Sequence, residues 1–455
     1  MYIGIILAVI LFIYFAMRGV SIFLAAIICT LLVVVTNGLP LDKSIFDYFA
    51  FGPLGAFSFA GKFFLLFVMG ALFGRVTGES GAASSIAVAL VNKLGAQKVL
   101  WITVLAASIL TYGGVVVFVV IFAMYPLGLK LLKEANVPKR LFVAAFALGS
   151  ATYTLSALPG TPSIQNVIAS VSLKTDLFAA GGWGIFAAVI MFTLGMMYLE
   201  NQRKKAINNN EGFSPNERDM ALISSEQHSD LPHWTKAIIP LVIVIGTIIL
   251  PRLLTLAGYS AAEGSIVYYA LKQPLLWPSI ALLFGILTTV IIFPKLHKNT
   301  LIMLGKGADD AIIPLMATAV VIGFGSVVTK TEGFISLSQW LLSLDLNPLV
   351  SIFVSVSLMS AIVGSSTGGL QIFLSSMSQS YIDKGVEPEM LHRIATMASG
   401  GFDSLPHCGA VVAVLAIAGL THKEGYKDIG IITVVIPVFA TIATIITYSI
   451  FSTQI

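Results

Sequence analysis

Apart from the interrupted run 141–173, two stretches of this 455-residue chain go without a charged side chain for far longer than one membrane crossing needs. Residues 99–129 give 31 uncharged positions between Lys98 and Lys130, and residues 346–382 give 37 between Asp345 and Asp383. One helix crosses the hydrocarbon core in about 20 residues, so each stretch is too long for a single pass. Each also carries a small-residue break near its middle. The first break is Thr111-Tyr112-Gly113-Gly114 and the second is Gly364-Ser365-Ser366-Thr367-Gly368-Gly369. Half-length, break, half-length is the pattern of a re-entrant hairpin. Backbone polar groups at membrane depth must be satisfied within the protein, which confines such a chain to helices or a closed barrel. A barrel would alternate in hydrophobicity over about ten residues. The apolar segments here are continuous, so they are helices.

Composition points the same way. Only 11% of residues are charged and 57% are hydrophobic, against about 25% charged in a soluble domain. Spans of usable length fall at roughly 2–17, 20–37, 61–78, 139–172, 178–199, 236–254, 275–293, 310–328, 389–419 and 429–451, with 139–172 and 389–419 interrupted. The expected fold is an all-α polytopic membrane protein of about ten transmembrane helices plus two re-entrant hairpins. Met1–Met17 lacks a basic leader and a small-residue cleavage site, so it reads as a first span. Cys29 and Cys408 lie far apart in apolar segments, and no metal-ligand spacing occurs. No cofactor is expected, and the formal charge of +4 gives no sign of a nucleic-acid partner.

The polar stretch Glu200–His233, with Arg203-Lys204-Lys205 and Asn208-Asn209-Asn210, reads as a flexible linker between halves of five spans. Asp309-Asp310 reads as the capped start of the 310–328 span, and His422–Asp428 as a solvated mixed-charge connector. If both hairpins enter and leave on one side, 18 of the 26 Lys and Arg fall on the linker's side and 8, Arg393 among them, on the other. Cytoplasmic loops carry the excess of positive charge. The linker is therefore expected in the cytoplasm of a bacterial inner-membrane protein, with both termini outside.

The halves look related. At an offset of 250, Gly114 meets Gly364, Pro138 meets Pro388 and Leu141 meets Leu391. Ala157-Leu158-Pro159 matches Ser404-Leu405-Pro406 a little further on. Five spans separate equivalent points, so the halves are expected to be inverted repeats, an architecture common among secondary transporters. The first repeat is 1–199, with its hairpin at about 98–132 and a broken helix at 139–172. The linker is 200–234. The second repeat is 235–455, with its hairpin at about 347–383 and a broken helix at 389–419.

Four polar breaks thus interrupt apolar segments: the two hairpin tips, Leu158–Asn166, and Asp403–Gly409. Non-helical backbone at depth survives only where protein buries it or a wet cavity solvates it, so four symmetric breaks imply one central polar site. Thr161 and Pro162 look like an N-cap and first residue of a half-helix, whose N–H groups and dipole would suit a carboxylate. The candidate substrate-binding residues are Gly113, Gly114, Thr161, Ser163, Gln165, Asn166, Ser365, Ser366, Thr367, Gly368 and His407. Asp403 and His407 are the candidates for a coupling ion, because intramembrane ionisable groups mark ion paths and histidine titrates near neutrality. Two alternatives stay open: Asp403 caps the next half-helix, and His407 donates to a freed carbonyl. Sodium held by hydroxyls and carbonyls at the tips is the rival to a proton. An intramembrane enzyme would need HExxH, GxSxG or a second aspartate opposite Asp403, and a channel would need a conductance beyond carrier turnover.

Leu158-Pro159-Gly160-Thr161-Pro162-Ser163-Ile164-Gln165-Asn166 resembles the break motif of the gluconate permease (GntP) family. Gly400-Gly401-Phe402-Asp403-Ser404-Leu405-Pro406-His407-Cys408-Gly409-Ala410, continuing to Gly419-Leu420-Thr421-His422-Lys423, resembles that family's second-half motif, in its hydroxybutyrate-permease-like branch. The position of Cys408 is commonly asparagine there. The resemblance implies the ion-transporter superfamily fold, with a scaffold domain, a mobile transport domain holding both hairpins, and frequently a homodimer. It also implies uptake of a small hydroxy-carboxylate anion, usually with protons.

Overall fold

The computed structural model describes residues 2–115, 117–225, 231–259, 262–343, 346–406 and 408–452. Its first half contains α1 (Tyr2–Met17), α2 (Ile22–Asn37), α3 (Ala56–Glu79), α4 (Ala82–Leu94), α5 (Val99–Tyr112), α6 (Val117–Ala135), α7 (Lys139–Ala151), α8 (Ile164–Leu173) and α9 (Gly181–Asn208). A short α10 (Glu217–Ser225) lies between the halves. The second half contains α11 (Trp234–Leu256), α12 (Leu276–Ile292), α13 (Thr300–Val328), α14 (Glu332–Ser343), α15 (Pro348–Val363), α16 (Ser366–Ser376), α17 (Pro388–Ser399), α18 (Gly409–Ile417), α19 (His422–Gly430) and α20 (Ile436–Ser452). Among the described residues there is no strand.

Local chemistry explains why the hairpin helices stop where they do. Asn347 caps α15, accepting the Leu349 N–H at 2.9 Å, and Pro348 takes the first helical position, where its missing N–H costs nothing. Gly364 ends the helix at φ +63°, a left-handed conformation that side chains disfavour. In the first hairpin Gly114, 250 positions earlier, plays the same part at φ +94°. The second hairpin then closes tightly. A Cβ on Gly369 would stand 2.4 Å from the Ser360 Cα, so only glycine lets α16 approach α15 this closely.

Five helical stretches are long and apolar enough to cross a membrane alone, and three bent pairs raise the number to eight among the described residues. The first two expected spans, α1 and α2, are 16-residue helices, rising about 24 Å each. The bent pairs add two elements that charge-free runs do not reveal. Helix α4 turns 116° into the segment 96–112, and helix 266–272 turns 113° into α12.

Packing repeats across the halves: α3 lies along α13, α2 packs on α13 and α12 on α3, and α9 packs on α20. Helix α13 starts at Thr300, nine residues before Asp309, so the acidic pair does not open the span. Asp310 instead accepts a bond from Arg75 of α3 at 2.9 Å, and Arg75 also pairs with Glu79.

The linker is not a flexible loop where the structure describes it. Its first nine residues, 200–208, complete α9, and 209–225 fold back against α6 and α7. Arg140 forks onto Glu211 through two bonds of 2.6 Å and reaches Asp428 at 2.5 Å, while Tyr198 donates to the other Asp428 oxygen. Lys139 meets Asp219 at 2.7 Å with both side chains almost fully buried, and Tyr125 adds a third polar group there. Buried charges are tolerated only when paired, so this end of the molecule is tied down. In 422–428 Lys423, Glu424 and Lys427 are exposed, as a solvated face requires, and Asp428 is the buried exception.

Candidate functional site

The first break begins where α7 ends at Thr152. A single turn, Tyr153–Ser156, follows, and the chain then runs irregularly to Ser163. Gly160 sits at φ +75° against Phe178, whose ring would be 2.6 Å from an added Cβ. The N-cap of α8 is Ser163 rather than Thr161. Its hydroxyl accepts from Asn166 N at 3.3 Å and donates to Leu155 O at 2.7 Å. Thr161 is fully buried, and its hydroxyl accepts from Ser163 N at 3.3 Å.

The tip of the first hairpin lies on this break. Tyr112 donates to Pro159 O at 2.8 Å, and Gly114 packs beside Pro162 and Leu282. Gly113 faces Leu241, so the tip wedges between the break and helices α11 and α12. At the second tip Ser365 caps α16 by accepting from Gly368 N at 3.2 Å, and Thr367 is buried. Gly368 packs against Val363 and against Val321 of α13.

The two repeats meet at Ser366. Gln165 donates its amide to the Ser366 hydroxyl at 2.9 Å, joining the first break to the second tip. Ser366 also stands beside the Asp403 carboxylate, which accepts from Ser404 at 3.0 Å. Asp403 lies in the 3-10 turn Phe402–Ser404, and Cys408 rather than Asp403 occupies the N-cap of α18. Helix α19 supports this second break: Tyr426 donates to Ser404 O at 3.1 Å, and His422 to Pro406 O at 2.8 Å. His407 lies outside the described residues. Tip one, break one, tip two and break two therefore form a continuous run of contacts, carried by Tyr112–Pro159, Gln165–Ser366 and Ser366–Asp403.

Asn166 stands apart from the other expected site residues, because its polar groups are all engaged. It is fully buried, and its Nδ2 donates to Thr161 O at 2.9 Å and Leu177 O at 3.0 Å. Two carbonyls accept only, so they fix the amide's orientation. Its Oδ1 must then accept from His392 Nε2, at 2.8 Å, and His392 Nδ1 takes the Thr175 hydroxyl at 2.7 Å. The neighbouring Arg393 is equally buried. Its Nε and Nη2 reach Ala179 O at 3.1 and 2.9 Å, and its Nη1 reaches Ala157 O at 3.1 Å. Helix α17 of the second repeat thus pins the first repeat's break. Counting Arg393 among loop charges hid this pair, although it lies inside the expected 389–419 span, where an ionisable side chain is itself a signal of function.

Comparison with known proteins agrees with this architecture. A family model described as GntP family permease matches residues 1–450. A Bacillus subtilis (strain 168) protein named Uncharacterized transporter YxjC is 37% identical over 470 aligned residues, covering 96% of this chain and 97% of that protein. The High-affinity gluconate transporter of Escherichia coli (strain K12) is 32% identical over 180 residues, 39% of each chain. The crystal structure of the Alcanivorax borkumensis YdaH transporter aligns over 95% of this chain and 98% of its own, with a TM-score of 0.57 at 14% identity. That likeness concerns the fold alone.

Proposed function

The chain belongs to the GntP permease family, and on that footing we propose that it imports a small hydroxy-carboxylate anion, gluconate-like or 3-hydroxybutyrate-like, together with a cation. The observation that carries this reading is the contact chain through Gln165, Ser366 and Asp403, which joins breaks from both halves of the sequence. Hydroxyl and amide groups at the tips suit a polyhydroxylated anion, and relatives named for gluconate supply the substrate class.

Thr161, Ser163, Gln165, Ser365, Ser366 and Thr367 offer the substrate hydrogen bonds, with backbone N–H groups at the starts of α8 and α16 aimed at its charge. Asp403 carries the coupling proton. The unit containing 98–172 and 347–419 moves against the remaining spans in alternating access, as discontinuous-helix transporters do. The linker lies in the cytoplasm and both termini outside, following the distribution of Lys and Arg.

Uptake of labelled gluconate and 3-hydroxybutyrate into proteoliposomes, under a proton gradient or a sodium gradient applied separately, tests this. The expected result is proton-driven accumulation of at least one anion, lost in Asp403→Asn. Accumulation driven by sodium alone would contradict the role given to Asp403. Failure of both anions under both gradients would overturn the substrate class.

A further inference from the structure

Arg393 is a fully buried cation that no carboxylate pairs with among the described residues. The carbonyls of Ala157 and Ala179 hold its guanidinium in place, but carbonyls bear no net charge. Guanidinium has five N–H donors. Three are used here, which leaves one on each terminal nitrogen. The partly buried carboxylate that acts on it is Asp176, while Glu389, one turn earlier on the helix, meets the Ala180 N–H at 3.4 Å but is exposed to solvent. Asp176 is already bound to Arg252 at 3.1 Å and to the Phe178 N–H at 2.7 Å, so the group of three carries a surplus positive charge. An isolated ion buried in a low-dielectric interior is strongly unfavourable. Its retention calls for a counter-anion that is not part of the protein.

The position fits that demand. Arg393 holds Ala157 O, Ala157 directly precedes Leu158-Pro159 at the start of the first break, and Tyr112 at the tip of the first hairpin donates to Pro159 O. Arg393 therefore stands behind the wall formed by tip one and break one.

We propose that Arg393 is the specificity-determining cation of the central site, selecting substrates that carry a carboxylate over neutral analogues of the same shape. This rests on the transport reading above and adds to it the residue that recognises the substrate's charge.

Two substitutions separate charge from packing. Arg393→Lys keeps the charge and loses most of the fork, whereas Arg393→Gln keeps a donor for the carbonyls and loses the charge. Binding of gluconate and gluconamide, and of 3-hydroxybutyrate and 3-hydroxybutyramide, to the purified full chain is followed by competition and by thermal stabilisation. Arg393→Gln is expected to weaken the carboxylates about 10- to 100-fold, the range for a unit charge acting over roughly 6–12 Å at an effective dielectric constant of about 20, with the amides little affected. Arg393→Lys is expected to keep the carboxylate preference. If Gln retains the preference, or if both variants weaken acid and amide alike, Arg393 only braces the break and the proposal is wrong. A second variant guards against misfolding at position 393. Asp176→Asn removes the opposing charge and is expected to tighten carboxylates relative to amides, so an unchanged ratio counts against the proposal. A wild-type protein that binds neither carboxylate would overturn the underlying transport reading instead, and this inference with it.

Discussion

Asn166→Asp changes one atom's chemistry and almost none of the side chain's shape. In the folded protein the new oxygen replaces Nδ2, so the carbonyls of Thr161 and Leu177 face an acceptor at the 2.9 and 3.0 Å now spanned by hydrogen bonds. Rotating the carboxylate does not help, because the other oxygen is needed by His392 Nε2. Asn166 is fully buried, so no water replaces the lost donor. Leu177 O keeps the Gly160 N–H at 2.9 Å, so Thr161 O is the acceptor that loses its donor, at about 1–3 kcal/mol. The assay is thermal unfolding of the purified protein in detergent, beside transport in proteoliposomes. The expected result is a melting temperature lowered by several degrees, with uptake falling as the folded fraction falls. A variant that melts like wild type but no longer transports would refute the reasoning, because it would place the Asn166 amide on the substrate rather than on the break.

Other substitutions probe different parts of the molecule. Asp219→Ala leaves Lys139 buried without its carboxylate and is expected to destabilise by about 3–5 kcal/mol in the same melting assay. Pairing it with Lys139→Met should recover a large part of that loss. Gly369→Ala places a methyl 2.4 Å from the Ser360 backbone and is expected to cost about 1–3 kcal/mol by overpacking, with a comparable drop in melting temperature. The Arg140 fork holds the Glu211 carboxyl below its ordinary range. A carboxyl whose pKa is depressed on folding adds stability above its unfolded pKa, and that contribution fades as pH falls through the lower folded value. Glu211→Gln should therefore flatten the acid side of the stability profile, by no more than about 1 kcal/mol because the pair is partly exposed.

The breaks that build the candidate site were legible in the sequence because membrane helices punish irregular backbone. The uncharged runs at 99–129 and 346–382 exceed a span, and the Gly-rich segments inside them mark where the chain turns. The helix break at 158–166 announced itself through Pro159, Gly160 and Pro162. What stayed hidden depends on contacts between distant residues. The linker looked mobile because it is polar, yet Asp219 finds Lys139 eighty positions away. Asp310 looked like a helix cap until Arg75, 235 positions distant, is seen to pair with it. Asn166 was read as a ligand for substrate, and only the positions of Thr161, Leu177 and His392 show where its polar groups point. Ser163 caps α8 because the irregular segment runs two residues further than Thr161-Pro162 suggested. Local propensity sets which residues can cap a helix, and tertiary packing decides which of them does.

The central claim is that breaks from both repeats act as one site, and the Gln165–Ser366 bond crosses between them. A double-mutant cycle of Gln165→Ala, Ser366→Ala and the pair, read as kcat/KM for gluconate or 3-hydroxybutyrate uptake, tests it most directly. Each single change is expected to lower uptake by up to about tenfold, the scale of one net hydrogen bond, and the double variant should lose little more than either single. Losses that multiply would mean that the two residues act independently, and that the breaks do not form a single site.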